Sequence, residues 1–332
     1  MSMHIYRITF RFMKLLAAFS LALASAAAIA QSGAYPNRPI KIVVPYSPGS
    51  GSDVIARTIG QNIAEKTRQP VVVENHDGGG SLIGTTVVAK APADGYTLLI
   101  AANPFVIVPS QYLKPPYDPL KDFVPVAKIG IIPLVLAASS TVPFTTVKEL
   151  VAYAKANPGK LSYASSGAGT ISQQEMELFK HAAGLDIVEV GYKSTAQAMN
   201  DVLGGQLALF PVVVPLVMPH LKSGRVRALG LFDTRRSATF PGIPLIAEEL
   251  GVPGYTPTPV WYGFMAPAGT PREVVAILNG LFHGAMQSAE VRERLSGLGA
   301  QTYTPTNEQF AAELKAEFEK SARVAKMLGT AK

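Results

Sequence analysis

Pro45-Tyr46-Ser47-Pro48-Gly49-Ser50-Gly51-Ser52-Asp53 is the stretch on which the fold turns. It joins a short apolar run at residues 40–46 to a segment at 52–66 in which Ile55, Ile59 and Ile63 recur at i, i+4 and i+8. That order predicts a strand, a loop of small residues and an amphipathic helix. The device returns at Tyr163-Ala164-Ser165-Ser166-Gly167-Ala168-Gly169-Thr170, between a strand at 161–164 and a helix at 171–183. Small residues let a ligand approach the backbone closely. The helix behind each loop offers unpaired N–H groups and the positive end of its dipole, which is a ready anion site. The plainer role of the same residues is capping. Ser50 or Ser52 can cap the first helix, and Thr170 with Gln173 fits a capping box. Asp53 and Arg57 have the spacing of an i,i+4 ion pair.

Outward from these units the pattern alternates. Further strands are expected at 71–74, 96–102, 124–130, 187–190, 207–210 and 226–232, with an apolar run at 131–138. Helices are expected at 83–90, 146–156, 195–203 and 216–221. A Pro/Gly-rich segment at 241–259 precedes two closing helices at 271–288 and 307–327. Alternating strands and helices predict an α/β fold with mainly parallel sheets. A chain of 332 residues exceeds one ordinary core and suits two.

Residues 1–30 are set apart as a secretory signal peptide. Arg7, Arg11 and Lys14 precede an apolar stretch at 15–29, and Ala28-Ile29-Ala30 offers small residues for cleavage before Gln31. That stretch is too short to span a bilayer. The leader carries three basic residues and no acidic one, so the formal charge falls from +7 to +4 on its removal. This mild excess suits anionic ligands, and no basic block with interleaved aromatics marks a nucleic-acid surface. Cysteine is absent, which excludes disulfides, thiol nucleophiles and a lipid-anchored cysteine. Neither Gly-x-Gly loop completes a nucleotide fingerprint, since Val54 and Ser172 hold the third glycine positions. His76, His181, His220 and His283 show no metal-ligand spacing, and no nucleophile elbow occurs. Gly191-Tyr192-Lys193-Ser194 follows a strand and precedes a helix; Lys193 can supply a cation and Tyr192 a hydroxyl, or both can be ordinary loop residues.

These loops, in this order, resemble the solute-binding proteins of tripartite tricarboxylate transporters, the Bordetella uptake gene family. Colinear stretches carry the resemblance: Tyr35-Pro36-Asn37-Arg38-Pro39-Ile40, Pro70-Val71-Val72-Val73-Glu74-Asn75, Asp94-Gly95-Tyr96-Thr97-Leu98-Leu99, Pro116-Tyr117-Asp118-Pro119-Leu120, Asn157-Pro158-Gly159-Lys160-Leu161 and Ala266-Pro267-Ala268-Gly269-Thr270-Pro271. The resemblance implies a type II periplasmic binding protein fold: two Rossmann-like lobes joined by a hinge, with the ligand cleft between them. It divides the mature chain into a first part of lobe 1 at 31–133, lobe 2 at 134–232, and a hinge return completing lobe 1 at 233–332. It implies a non-enzymatic, cofactor-free, periplasmic monomer that hands a small carboxylate to membrane permease subunits. An enzyme for small acids on the same scaffold and a periplasmic ligand sensor are the rival readings.

Carried over by motif, the first pincer is Tyr46, Ser47, Ser50, Gly51, Ser52 and Asp53. The second is Ser165, Ser166, Gly167, Ala168, Gly169 and Thr170, and Tyr192 with Lys193 match a further turn. This chain departs from the family in having Gln173 for a common His, Ser194 for Gly, Leu82 for Asn and Val212 for a frequent Asp. A valine cannot balance a ligand ammonium group, so a ligand without one and with an apolar or aromatic body is expected.

Overall fold

The computed structural model describes residues 35–192, 194–237 and 240–329. The expected signal peptide and Lys193 lie outside them. Strand β1 (Ile40–Val44) leads into helix α1 (Gly51–Thr67), followed by β2 (Val71–Asn75), α2 (Leu82–Ala89), β3 (Thr97–Ala102), α3 (Pro104–Ile107) and β4 (Phe123–Ile132). The chain passes Pro133 directly into β5 (Leu134–Ser139). Then come α4 (Val147–Ala156), β6 (Ser162–Ser165), α5 (Ile171–Ala183), β7 (Val188–Gly191), α6 (Thr195–Leu203), β8 (Leu209–Val213), α7 (Val214–Lys222) and β9 (Val226–Leu231). The return carries the short α8 (Ile246–Leu250) and re-enters as β10 (Val260–Pro267). It ends with α9 (Arg272–Met286), α10 (Ala289–Gly297), β11 (Gln301–Thr302) and α11 (Asn307–Met327).

Two sheets result, with strand orders β11-β4-β10-β3-β1-β2 and β7-β6-β8-β5-β9. Each is packed on both faces. Ile42 and Val44 of β1 point to one core with Ile55, Ile59 and Ile63 of α1, while Val43 points to another with Phe105 and Phe310. In the second sheet Leu136 and Ala138 face one core, and Val135 and Ala137 the other. This alternation is the period-two geometry of a strand covered on both sides.

The sheets are mixed, which corrects the expectation of mainly parallel pairing. β1 is parallel to β2 and β3, and β6 to β7 and β8, but β10 runs antiparallel to β3 and β4, and β5 to β8 and β9. The cause is the crossing itself. The chain leaves the first sheet through β4 and comes back through β10, so these neighbours run in opposite senses. The sequence reading also omitted β10, β11, α3, α8 and α10. β10 follows a Pro/Gly-rich segment that masks its start, and α10 buries only Val291 and Leu295.

β10 and α11 meet the end of β3 at Glu317, which is buried. Its carboxylate accepts from Asn103 Nδ2 at 2.8 Å and Trp261 Nε1 at 2.6 Å. Burial pushes this carboxyl up from 4.5 to about 7, against the opposing pull of those donors and of Lys320 and Lys128. A carboxyl raised in the folded state stabilises fully below its unfolded value and loses that contribution as pH climbs through its folded value. The parent protein is therefore expected to lose about 3 kcal/mol from this group between roughly pH 4.5 and 7. Glu317→Gln removes the slope, as urea denaturation at pH 4.5, 6 and 8 will read.

Candidate ligand-binding cleft

The first pincer is built by capping and by a buried carboxylate. Ser50 Oγ accepts from Asp53 N at 3.3 Å, so Ser50 is the N-cap of α1. Asp53 turns away from the sheet's mouth. It accepts from Gly49 N at 2.9 Å, Arg57 Nε at 3.0 Å and Asn75 Nδ2 at 2.9 Å. Burial opposes its charge, but these donors win and hold its carboxyl below the ordinary value. Asn75 also donates to Tyr46 O at 3.0 Å, and Ser47 Oγ donates to Asp77, so both loop ends are fixed. The amides of Gly51 and Ser52, at the open end of the helix, pair with no protein acceptor among the described residues.

The second pincer is wired differently. The predicted capping box does not form. Thr170 sits at the N-cap, yet its hydroxyl donates to Gly167 O at 2.6 Å, and Gln173 Oε1 accepts from Gly169 N at 3.0 Å. Gln173 Nε2 donates to Glu189 Oε2 at 3.0 Å, and Ser165 Oγ donates to Glu189 Oε1 at 2.6 Å. A glutamine can accept and donate at once, and here it spans loop and strand. Because the capping groups are spent on the loop, the amides of Ile171, Ser172 and Gln173 are left without a protein acceptor among the described residues. That is an anion-ready helix start.

Both starts line one cleft of about 260 Å³ between the sheets. Of the residues expected from sequence, Tyr46, Ser50, Gly51, Ser52, Ser166, Thr170 and Val212 line it. Ser47, Asp53, Ser165, Gly167, Ala168 and Gly169 do not; they shape the two loops behind it. Tyr192 does not line it either, because its hydroxyl donates to Asp201 Oδ2 at 2.5 Å, a bond that raises its phenol's pKa. Four polar contributors escaped the sequence reading. Ser172 and Thr195, at the starts of α5 and α6, line the cleft, as do Asn103 and Tyr262. Tyr262 lies on the unpredicted β10, and its hydroxyl would stand 3.1 Å from a Cβ placed on Gly51.

The far wall is apolar: Leu134, Phe210, Val212, Val213, Leu216 and Val260. No described lining residue is Lys, Arg, His, Asp or Glu. Among the described lining residues, negative charge meets only amide dipoles and hydroxyls, and a positively charged group has no counter-ion. No cluster of potential metal ligands occurs among the described residues. Larger cavities, of about 500, 660 and 910 Å³, lie elsewhere, and none of these is lined by the helix starts at Gly51-Ser52 and Ile171-Ser172 together.

Two α/β lobes, two chain crossings and a cleft flanked by opposed helix starts define a two-lobed binding protein of the type II periplasmic class. The chain belongs to the tripartite tricarboxylate transporter family receptors, whose family model matches residues 55–330. BugT of Bordetella pertussis is 36% identical over 320 residues, covering 95% of this chain and 98% of that one. Rpa4515 of R. palustris, solved with adipate, is 33% identical with a TM-score of 0.75, covering 88% of this chain and 98% of that one. MatC from Rhodopseudomonas palustris, solved with bound malate, is 30% identical with a TM-score of 0.73, over 88% of this chain and 100% of that one. This is a family of substrate-binding receptors and not of enzymes, and the periplasmic binding protein BugD is among the solved structures that this chain resembles.

Proposed function

We propose that this receptor traps a small carboxylate that carries no ammonium group, and delivers it to the membrane subunits of a tripartite tricarboxylate-type transporter. The observation that carries the proposal is the pair of uncovered helix starts, Gly51-Ser52 and Ile171-Ser172-Gln173, opening on one cleft with no charged side chain among its described lining residues. Adipate in Rpa4515 and malate in MatC support the ligand class. The apolar wall around Val212 favours a hydrocarbon or aromatic body.

The working motion is a hinge. The first sheet with its helices, from residues 35–133 and from β10 onward, moves as one body, and residues 134–232 with the return segment packed on them through Tyr255 as the other, turning about Pro133 and residues 256–259. Open, each lobe shows one positive helix end to water. A carboxylate between them is satisfied from both sides only when the lobes close, so binding favours closure. The chain is exported by its leader, cleaved before Gln31, and works as a free monomer in the periplasm. No helix among the described residues is long and apolar enough to cross a membrane.

Thermal-shift and calorimetric titration of the chain from Gln31 onward with adipate, malate, benzoate and aspartate tests the reading. Plain carboxylates are expected to raise the melting temperature, by about 2.7 kcal/mol of stability at 100 times Kd. Aspartate outranking all three others would overturn it. Loss of uptake on deleting the membrane subunits tests delivery.

A further inference from the structure

The second helix start is tied to the opposite lobe by a buried ion pair well away from the cleft lining. Glu175 lies on α5, four residues past Ile171, which is about 6 Å along the axis. It is fully buried. Its Oε1 accepts from Lys320 Nζ at 2.8 Å, and its Oε2 has no hydrogen-bond partner. Lys320 lies on α11, whose Phe310 and Leu314 pack into the core of the first lobe with Val43 and Trp261. Lys320 also donates to Thr256 O at 2.8 Å and Thr258 Oγ1 at 2.6 Å on the return segment.

An ammonium group has three protons, and Lys320 spends two on the hinge segment and one on the other lobe. The lysine is thus a socket held by its own body, and Glu175 is the plug. If α5 swings away, Lys320 keeps two acceptors while Glu175 loses the one cation that balances it. Swung out, Glu175 exchanges a directed ammonium contact for water while Lys320 stays fixed, so the pair biases the molecule toward the arrangement in which both helix starts face one cleft. The neighbouring pair Lys180–Glu177, at 2.6 Å, joins two residues of the same helix and can exert no such control.

We infer that Glu175 and Lys320 are a positioning pair that holds the α5 helix start against the α1 helix start across the hinge. This rests on the two-body reading of the cleft, and it adds a determinant that touches no ligand.

The chain has no cysteine, so Gln61→Cys in the first lobe and Lys155→Cys in the second accept spin labels without background. Electron–electron distance measurements on the ligand-free chain then report the lobes directly. Glu175→Gln and Lys320→Met are each expected to reduce the short-distance population on the order of 10-fold and to lower the melting temperature. The double variant Glu175→Gln/Lys320→Met has no unpaired buried charge. It is expected to regain most of the melting temperature while keeping the depleted short-distance population. Lys320→Arg, which keeps the charge, and Lys180→Met, which breaks the intra-helix pair, should leave the distances as in the parent. Recovery of the short distance together with stability in the double variant would reduce the pair to a structural role and overturn the proposal, as would unchanged distances in both single variants. If the carboxylate titrations find no binder while the distances respond as stated, the capture reading fails and the positioning pair stands.

Discussion

Gly169→Val is expected to weaken carboxylate binding by about 100-fold, or roughly 2.7 kcal/mol. Gly169 sits at φ +78°, where a side chain is strained, and a Cβ there would stand 3.0 Å from Val108 Cγ2. Val108 belongs to the first lobe and Gly169 to the second, so a branched side chain is a wedge between them. The left-handed conformation alone costs roughly 1–2 kcal/mol for a residue with a Cβ, and this cost persists whether the lobes are open or closed. The wedge acts only on closure. Gly167→Val separates the two effects. Gly167 is also at positive φ, +97°, but a Cβ there would meet nothing within 4 Å. Its loss of affinity should be about 10-fold smaller. Calorimetry on both variants, with the strongest-binding carboxylate of the titration panel, gives the comparison. Equal losses would remove the wedge.

Val212→Asp is expected to abolish binding of plain carboxylates, on the order of 1000-fold. Val212 is buried in β8, pairs with Val135 of β5 and lines the cleft. A carboxylate placed there has no cationic neighbour among the described lining residues, and its own desolvation costs several kcal/mol. Repulsion from a ligand carboxylate about 5 Å away adds roughly 3 kcal/mol at an effective dielectric near 20. An amino-acid ligand changes the sign of that term, because its ammonium supplies the missing partner. Aspartate should therefore bind the variant better than adipate or malate does, reversing the order expected of the parent. Val212→Asn, polar but uncharged, should fall between the two proteins. A Val212→Asp protein that keeps its preference for plain carboxylates would show that the ligand does not reach this wall.

The two pincers were legible because their signal is local. Ile55, Ile59 and Ile63 mark one helix face wherever the helix packs, and α5 and α6 begin and end where the sequence placed them. What stayed hidden depends on distant partners. The i,i+4 spacing points to Arg57 as a partner of Asp53, but no local pattern says that Gly49 and Asn75 will hold it too, or that Glu189 will draw Gln173 away from a capping box. Tyr192 fits a ligand-contacting turn by motif, yet Asp201, nine residues on, holds its hydroxyl. β10 was missed because a strand entering antiparallel from a crossing has no helix before it to set the rhythm. With β10 went Tyr262, the residue that faces Gly51. Val212 is the converse case. The expected strand stopped at residue 210, and Val212 stood out only because the resemblance sets it where an Asp is frequent; β8 runs on to Val213 and brings Val212 into the wall of the cleft.

The most direct measurement follows backbone amide signals of ¹⁵N-labelled protein during titration with that same carboxylate. The amides of Gly51 and Ser52 in one lobe and of Ile171, Ser172 and Gln173 in the other should shift together, with a single dissociation constant. Movement of only one group, or two groups saturating at different concentrations, would mean that a single anion does not bridge the two lobes.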